Sequence, residues 1–268
     1  MIRPDPLLDP VFLRQSQYRN DRQLAKRIVL HQRFSTSQQS WFDWLFTRME
    51  FPEHPRVLEI GCGTGALWRE NRHRLPSNLD LTLTDLSPGM LETARQQVQG
   101  IAHNVMVADA RELPFDAAMF DVVIANHVLH HVPDLPRAIG EIRRVLKPSG
   151  RLYEGANGLY HMEDLLLLLP DTDQTRAVTK HFNLANGKAL LERAFLHVES
   201  CEFDNNLEVT DVQPVIDYLE STQDATILAP GVLDAVRQRV GVAIAEQGAF
   251  RIRKSTGIFI ADGIREPA

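Results

Sequence analysis

The stretch VLEIGCGTG, Val57–Gly65, decides the fold of this 268-residue chain. An apolar run that contains one carboxylate, Glu59, leads into Gly61, Gly63 and Gly65. The run predicts a buried strand, and the glycines predict a sharp turn that opens onto a helix. Glycines let a ligand approach the main chain without meeting a Cβ atom. Because the start of a helix presents free N–H groups and a positive dipole end, the turn favours an anionic or carboxylate-bearing ligand.

Strand and helix patterns alternate along the chain from this turn onward. Strand patterns lie at 56–60, 79–86, 103–110, 120–128 and 151–157, and helical patterns or turns separate them. This alternation predicts a parallel, doubly wound α/β sheet with helices on both faces. Ligands of such sheets lie at the carboxyl ends of the strands, so the predicted site is at that edge.

Helical patterns also occupy both ends of the chain. Residues 15–50 predict helices before the first strand. The C-terminal part predicts a strand within 196–209 and a final strand, STGIFIAD, at 255–262. The remaining helical patterns lie at 161–169, 186–195, 211–221 and 231–247. We therefore expect a helical segment over 1–54 that caps the site, and a core over 55–268 with helical cap insertions near 156–190 and 211–247.

Two classes of ligand use a glycine turn of this kind. GCGTGA matches the dinucleotide pattern G-x-G-x-x-A, with Asp85 placed for a ribose, which would indicate an NAD-dependent oxidoreductase. Glu59, however, stands two residues before the first glycine, where a carboxylate repels a pyrophosphate and attracts a cation. Glu59 thus favours S-adenosylmethionine, whose α-ammonium it would meet directly or through water. The alternative is that Glu59 is a buried partner for a backbone amide.

Further motifs make the chain resemble a known family. LTLTDLSPGML ends the second strand at Asp85, ADARELPF contains Asp109, FDVVIANHVLHHV contains Asn126, and LKPSGRLY leads into the fifth strand. With VLEIGCGTG, these stretches resemble in order and spacing the motifs of class I S-adenosylmethionine-dependent methyltransferases, over roughly residues 55–155. The stretch YRNDRQLAKRIVLHQRFS also resembles the helical lead-in of the branch that acts on small molecules.

The resemblance implies a Rossmann-like, doubly wound sheet of seven strands, mostly parallel, with the last strand reversed. It implies S-adenosylmethionine as cofactor, in-line transfer of its methyl group to O, N or C of a small-molecule acceptor, and release of S-adenosylhomocysteine. Asp85 would hold the ribose hydroxyls and Leu86 would pack on the adenine. Asp109 and the backbone N–H of Ala110 would contact the adenine edge, and the main chain around Asn126 would lie near the methionine end.

The predicted cofactor-binding set also draws on the N-terminal helices. If these helices fold over the site, Tyr18 or Arg27 could meet the methionine carboxylate; core packing and surface charge are the alternatives. The complete set comprises Glu59, Gly61, Gly63, Gly65, Asp85, Leu86, Met90, Asp109, Ala110, Asn126, Tyr18 and Arg27.

Histidines supply the catalytic candidates. His127, His130 and His131 follow the fourth strand, and His161 follows the fifth, so all are expected at the ligand-binding edge. An imidazole can take the proton that an O or N nucleophile loses, while the rest of catalysis is alignment. We select His127 and His161; the alternative is that these histidines only pack or cap the turn. A metal site is not expected, because the accompanying carboxylate ligands are missing.

Composition limits the other classes of function. The net charge of −6 argues against a nucleic-acid substrate, as does the absence of a base-methylation motif after the fourth strand. The two cysteines, Cys62 and Cys201, indicate neither disulfides nor zinc, and Cys62 is expected to pack within the turn. The apolar run 165–169 is far shorter than the about 20 residues of a membrane span, and no signal peptide is recognised, so we expect a cytoplasmic protein.

One alternative function is not an enzyme. Cofactor motifs and acceptor chemistry are separable, so the chain could be a scaffold or partner subunit that binds S-adenosylmethionine without catalysis. The sequence does not select the acceptor or the oligomeric state.

Overall fold

The computed structural model describes residues 6–170, 180–222, 228 and 231–265. Its strands are β1 (Arg56–Ile60), β2 (Asp80–Asp85), β3 (Asn104–Val107), β4 (Phe120–Asn126), β5 (Leu146–Asn157), β6 (Phe195–Glu202), β7 (Asn206–Val209), β8 (Phe250–Arg253) and β9 (Thr256–Ile264). Its α-helices are α1 (Pro10–Phe12), α2 (Arg22–Phe34), α3 (Trp41–Phe46), α4 (Ala66–Glu70), α5 (Pro88–Gln97), α6 (Leu135–Val145), α7 (Glu163–Leu166), α8 (Gly187–Leu191), α9 (Gln213–Thr222) and α10 (Val232–Gln247).

The main sheet has seven strands in the order β3-β2-β1-β4-β5-β9-β6. Neighbours among β1 to β5 pair in parallel, whereas β9 is antiparallel to both β5 and β6. The prediction of a mostly parallel, seven-stranded, Rossmann-like sheet with a reversed last strand is therefore confirmed. The strand order reverses between β1 and β4, which places the expected ligand crevice at the carboxyl ends of these two strands.

Local sequence signals explain where the helices around this crevice begin. The Ser87 side chain accepts a hydrogen bond from the backbone N–H of Met90, and Pro88 occupies the first turn of α5. Asp134 caps α6 in the same way by accepting from the N–H of Arg137. Helix α5 thus starts three residues after the end of β2, and α6 starts nine residues after the end of β4.

Apolar clusters cover both faces of the sheet and the C-terminal helices. One face packs through residues such as Leu58, Val123 and Ile142 on α6. The other face packs through residues such as Trp44, Trp68 and Leu91 on α3, α4 and α5. A third cluster joins α2 to α9, α10 and the strand pair β7–β8, and includes Leu30, Ile216, Val240 and Ile252. The N-terminal helix α2 therefore packs on the C-terminal insertion, next to the crevice.

The strand pair β7–β8 departs from the sequence prediction. The strand expected within 196–209 is divided into β6 and β7, and β7 pairs antiparallel with β8, which the sequence did not predict. The division follows from Asn205, whose side-chain oxygen accepts from the Ser35 hydroxyl and from the backbone N–H of Ser37. In β8 the alternation FRIR is too short to be distinguished from a loop, although Ile252 is fully buried.

No helix among the residues with described structure is long and apolar enough to cross a membrane.

Candidate active site

The glycine turn after β1 needs left-handed backbone. Gly61, Gly63 and Gly65 have φ angles of 65°, 54° and 74°. A Cβ atom on Gly61 would overlap the side chain of Val128, which follows β4, whereas one on Gly63 would meet no atom within 4 Å. Gly61 is thus required both by its φ angle and by the close approach of the β4 loop.

Asp85, at the end of β2, holds this turn in place. Its Oδ2 accepts from the backbone N–H of Gly63 at 2.9 Å, and its Oδ1 accepts from the N–H of Ser87 at 2.8 Å. Burial raises the pKa of the Asp85 carboxyl, while these backbone hydrogen bonds oppose the rise. One carboxylate therefore joins the turn after β1 to the start of α5.

Glu59 is a buried carboxylate inside β1, with 2% of its surface exposed. The indole Nε1–H of Trp68, from α4, donates to Glu59 Oε2 at 2.6 Å. Burial raises the Glu59 pKa to about 8. The charge of Asp85 also raises this pKa, whereas the Trp68 hydrogen bond lowers it. A cation bound next to this carboxylate would therefore stabilise its charged form.

A cavity of about 280 Å³ opens at this edge of the sheet. Most of the predicted site residues line it: Tyr18, Glu59, Gly61, Gly63, Asp85, Leu86, Met90, Asp109, Ala110, Asn126 and His127. The N-terminal residues Pro10, Leu13, Leu24 and Ile28 line the same cavity. The fold thus gathers the strand-end residues of β1, β2 and β4 and the N-terminal helices around one space.

Three of the predicted residues do not line the cavity directly. Gly65 precedes the first residue of α4 and has no atom in the cavity wall. The guanidinium of Arg27 lies over the ring of Tyr18, with 5.3 Å between Cζ and the ring centroid. His161 Nδ1 lies 2.8 Å from the backbone oxygen of Ser255 and 3.1 Å from Thr256 Oγ1, so this ring packs on the start of β9.

Asp109 forms an ion pair that the sequence analysis missed. Arg111 Nε donates to Asp109 Oδ1 at 3.0 Å, and Arg111 Nη2 donates to Oδ2 at 2.7 Å. These side-chain hydrogen bonds hold the pKa of the Asp109 carboxyl below its usual range. The spacing Asp-x-Arg at a strand end was the available signal, and it leaves Asp109 oriented and charged at the rim of the cavity.

Tyr18 and His131 form a hydrogen-bonded pair inside the cavity. Tyr18 Oη lies 3.1 Å from His131 Nε2, and His131 Nδ1 lies 3.0 Å from the backbone oxygen of Leu7. Because a carbonyl oxygen can only accept, Nδ1 carries the proton and Nε2 accepts from the Tyr18 hydroxyl. Burial lowers the His131 pKa to about 4, so the ring is neutral near pH 7. The two residues are far apart in sequence, and nothing in the sequence signalled this contact.

His127 has the left-handed backbone that is unusual for a residue with a side chain, with φ 58°. Its ring lies 5.0 Å from the ring of Trp41, and its Nδ1 is buried without a hydrogen-bond partner among the described residues. Burial, with the charge of Lys254, lowers its pKa to about 4. The Trp41 indole N–H in turn donates to Asn126 Oδ1 at 3.0 Å. The exit of β4 is therefore held by α3 and aims a neutral imidazole at the cavity.

Cys62 lies in the glycine turn but is buried, and burial raises the pKa of its thiol. The nearby carboxylates Glu59 and Asp85 raise it further. A thiol in this environment packs against its neighbours and does not act as a nucleophile. Within the ranges that the structure describes, no group of three His, Cys, Asp or Glu side chains is arranged to hold a metal ion.

Comparison with known proteins identifies the central part of the chain. The model of a methyltransferase domain family matches residues 58–153, from β1 into β5. Residues 58–153 are a class I S-adenosylmethionine-dependent methyltransferase domain. The resemblance that the motifs indicated is thus confirmed, and S-adenosylmethionine is the cofactor of this domain.

Two curated relatives each match about a third of the chain. A malonyl-[acyl-carrier protein] O-methyltransferase of Serratia marcescens is 37% identical over 102 residues, which are 36% of this chain and 37% of the relative. A ubiquinone/menaquinone biosynthesis C-methyltransferase of Idiomarina loihiensis is 39% identical over 101 residues, which are 36% of this chain and 40% of the relative. The chain therefore spans less than half the length of these two relatives.

Solved structures share the fold of a larger part of the chain. Phosphoethanolamine N-methyltransferase 2 of Haemonchus contortus, in complex with S-adenosyl-L-methionine, matches with a TM-score of 0.60 and 19% identity over 95% of this chain and 59% of that one. The YcgJ protein of Bacillus subtilis matches with a TM-score of 0.58 and 17% identity over 85% of this chain and 98% of that one. The fold likeness thus extends well beyond the methyltransferase domain.

Proposed function

We propose that the chain is an enzyme that transfers the methyl group of S-adenosylmethionine to O, N or C of a small-molecule acceptor. One observation carries this proposal: a single cavity joins the glycine turn and Glu59 to Tyr18, His131 and His127. A cofactor held at the turn would therefore face groups that can orient an acceptor and move a proton.

In this proposal the strand ends bind the cofactor. Glu59 pairs with the α-ammonium, Asp85 holds the ribose hydroxyls, and Asp109 accepts from the adenine amino group. The residues fit this ligand, because Glu59 is buried with a pKa raised to about 8 and, among the residues that the structure describes, has only the Trp68 indole as side-chain partner. The bound cofactor supplies an electrophilic sulfonium methyl. The chain supplies alignment, which is the main contribution to an in-line displacement.

Tyr18 and His131 provide the path for a proton. As an acceptor O–H or N–H loses its proton to Tyr18 Oη, the Tyr18 proton moves to His131 Nε2, and the imidazolium stays bonded through Nδ1–H to the oxygen of Leu7. His127 lines the same cavity and is a second candidate base. We place the proton at His131, because its hydrogen bonds define which nitrogen accepts.

The N-terminal segment would close the site in this proposal. Residues from Pro10 to Ile28 line the cavity, and α2 packs on α9 and on the strand pair β7–β8. A segment over 1–54 and the insertions near 156–190 and 211–247 would thus exclude water and shape the acceptor pocket. The named relatives include O-, C- and N-methyltransferases, which supports methyl transfer and leaves the accepting atom open.

The first test is isothermal titration of the full chain with S-adenosylhomocysteine, with NAD as the control ligand. We expect micromolar binding of S-adenosylhomocysteine and none of NAD. The second test incubates the chain with S-adenosylmethionine that carries a labelled methyl group and a panel of hydroxyl, amine, carboxylate and activated-carbon acceptors. Binding without transfer to any acceptor would favour the non-catalytic scaffold, and binding of neither ligand would contradict the proposal.

A further inference from the structure

Basic side chains from separate elements lie close enough to shift one another's pKa, and one of them, His127, lines the cavity. His31 lies on α2, and its ring centroid is 6.0 Å from that of Tyr218 on α9. His127 follows β4, and its ring centroid lies 5.0 Å from that of Trp41. Lys254 lies between β8 and β9, next to Ser255, whose main chain contacts the ring of His161. The tertiary fold, and not any local motif, thus assembles a basic cluster of His31, His127, His161 and Lys254.

Some nitrogen atoms of this cluster, and one of Arg27, which lies one helical turn before His31 on α2, lack partners among the described residues. Nδ1 of His31, Nδ1 of His127 and Nη2 of Arg27 are buried, and no hydrogen bond reaches them from any residue in the described ranges. The same ranges show no hydrogen bond or ion pair of Lys254 Nζ, although burial of this ammonium lowers its pKa to about 8. Buried polar groups without partners are costly, so these three nitrogens require an explanation.

The charges around the cluster all have one sign. Burial lowers the pKa of His31, His127 and His161, and the charge of Lys254 lowers the pKa of each of them further. The remaining contributions to these three shifts come from other basic groups, apart from the Ser255 backbone hydrogen bond that raises the pKa of His161. No carboxylate is therefore among the groups that shift these pKa values, although the chain has a net charge of −6, and Lys254 supplies the positive charge of the cluster.

We propose that Lys254, His31 and His127 form a subsite that binds an anionic group of the acceptor, a carboxylate or a phosphate. This inference rests on the proposed methyl transfer and names the class of its substrate. His127 belongs to both the subsite and the cavity wall, so the bound anion would lie next to the acceptor atom that receives the methyl group. An anion offers several acceptor oxygens, which suits donors that converge from three elements.

His161 is a positioning residue in this scheme. Its Nδ1 contacts both the backbone of Ser255 and the hydroxyl of Thr256, and it thereby holds the turn that carries Lys254. An anion in the subsite would also favour the protonated forms of His31 and His127. Binding of the acceptor's anionic group would thus raise the pKa of His31 and His127.

The test measures anion binding and needs no turnover. Sodium phosphate and sodium malonate are titrated calorimetrically into the full chain at constant ionic strength, with and without S-adenosylhomocysteine. The variants are Lys254→Met and His31→Gln, and Lys26→Met is the matched control, since Lys26 is an exposed lysine of α2 paired with Glu220. We expect millimolar or tighter binding of one anion, weakened about tenfold or more in Lys254→Met and His31→Gln and unchanged in Lys26→Met.

A second readout is the histidine titration followed by NMR. Saturating anion should raise the pKa of His31 from about 3 and that of His127 from about 4 in the wild-type chain. The rise should be absent in Lys254→Met. This measurement tests the subsite even if one variant folds poorly, because the pKa shift in the wild-type chain by itself shows whether the anion binds next to the histidines.

The outcomes separate the possibilities. Preference for phosphate indicates a phosphate-bearing acceptor, and preference for malonate indicates a carboxylate-bearing one. No binding of either anion to the wild type, or equal binding by Lys254→Met, overturns the subsite. Failure to bind S-adenosylhomocysteine is scored in the separate cofactor titration and would contradict the methyl-transfer proposal, whatever the anions do.

Discussion

Glu59 links the charge of the ligand to the pH at which the ligand binds. A carboxylate in the centre of a buried strand is costly unless a partner compensates it, and Trp68 supplies only one hydrogen bond. Its pKa of about 8 means that the free protein holds this group largely protonated at neutral pH. A cationic ligand must therefore displace a proton when it binds.

This linkage predicts how cofactor binding depends on pH. Between pH 6 and 8, the affinity for S-adenosylhomocysteine should rise, because deprotonation of Glu59 costs less as the pH approaches its pKa of about 8. Glu59→Gln should weaken binding by about 1.5–3 kcal/mol and remove the rise. Isothermal titration in two buffers of different ionisation enthalpy measures the released proton. An equal pH slope in wild type and Glu59→Gln would refute the ammonium assignment.

A second prediction at this scale separates two roles of Tyr18. If the Tyr18–His131 pair moves the acceptor proton, Tyr18→Phe should lower kcat by about 10²-fold or more, because general base catalysis is lost. Its affinity for S-adenosylhomocysteine should stay as in the wild type. The check is kcat with an acceptor found in the panel, beside calorimetry. Loss of affinity with unchanged kcat would instead assign Tyr18 to the methionine carboxylate, as first expected from the sequence.

At the scale of elements, the turn after β1 depends on its neighbour from β4. The glycines were recognisable as a ligand-binding turn from their spacing. What makes Gly61 differ from Gly63 is Val128, which follows a strand distant in sequence. The strand pair β7–β8 is a similar case, because each strand is four residues long and is stabilised by the other and by the cluster beneath it.

The turn offers a matched pair of substitutions. Gly63→Ala should cost about 1–2 kcal/mol of unfolding free energy, because a left-handed φ strains alanine. Gly61→Ala should cost more, since its Cβ overlaps Val128 as well. Urea unfolding of both variants measures the difference. If Gly61→Ala is as stable as Gly63→Ala, Val128 does not pack closely against the turn in solution.

At the scale of the whole molecule, buried titratable groups set the pH range of stability. Burial raises the native pKa of Glu59 and of Glu154 above the unfolded value of 4.5. Their contribution to stability is complete below pH 4.5 and is lost as the pH rises through the native pKa, which is about 8 for Glu59. The native pKa is lowered for His31, His127 and His131, which contribute stability above 6.5 and lose it as pH falls toward 3 to 4. Each group changes the free energy by about 1.4 kcal/mol per pH unit within its window.

The free energy of unfolding of the ligand-free chain should therefore be greatest near pH 6.5 and fall on both sides. Glu59→Gln should flatten the fall between pH 6.5 and 8, because a neutral amide replaces the group that must ionise. Glu53→Gln is the control, since the Glu53 side chain is 92% exposed. Urea unfolding at a series of pH values measures these slopes. A slope in Glu59→Gln equal to that of Glu53→Gln would show that Glu59 is not the group responsible.

The sequence by itself determined the α/β class, the glycine turn, the family and the cofactor. Periodicity, caps and motif spacing are local, and a parallel sheet brings strand ends together whatever the loops do. Only the tertiary structure decided the Tyr18–His131 contact, the Asp109–Arg111 pair as an occupied carboxylate, and the basic cluster around Lys254. The Tyr18–His131 contact and the basic cluster depend on side chains that meet from distant segments, whereas the Asp109–Arg111 pair is local and depends on the side-chain conformations that the folded loop selects. Their pKa values follow from burial and neighbouring charge, which exist only once the chain is packed.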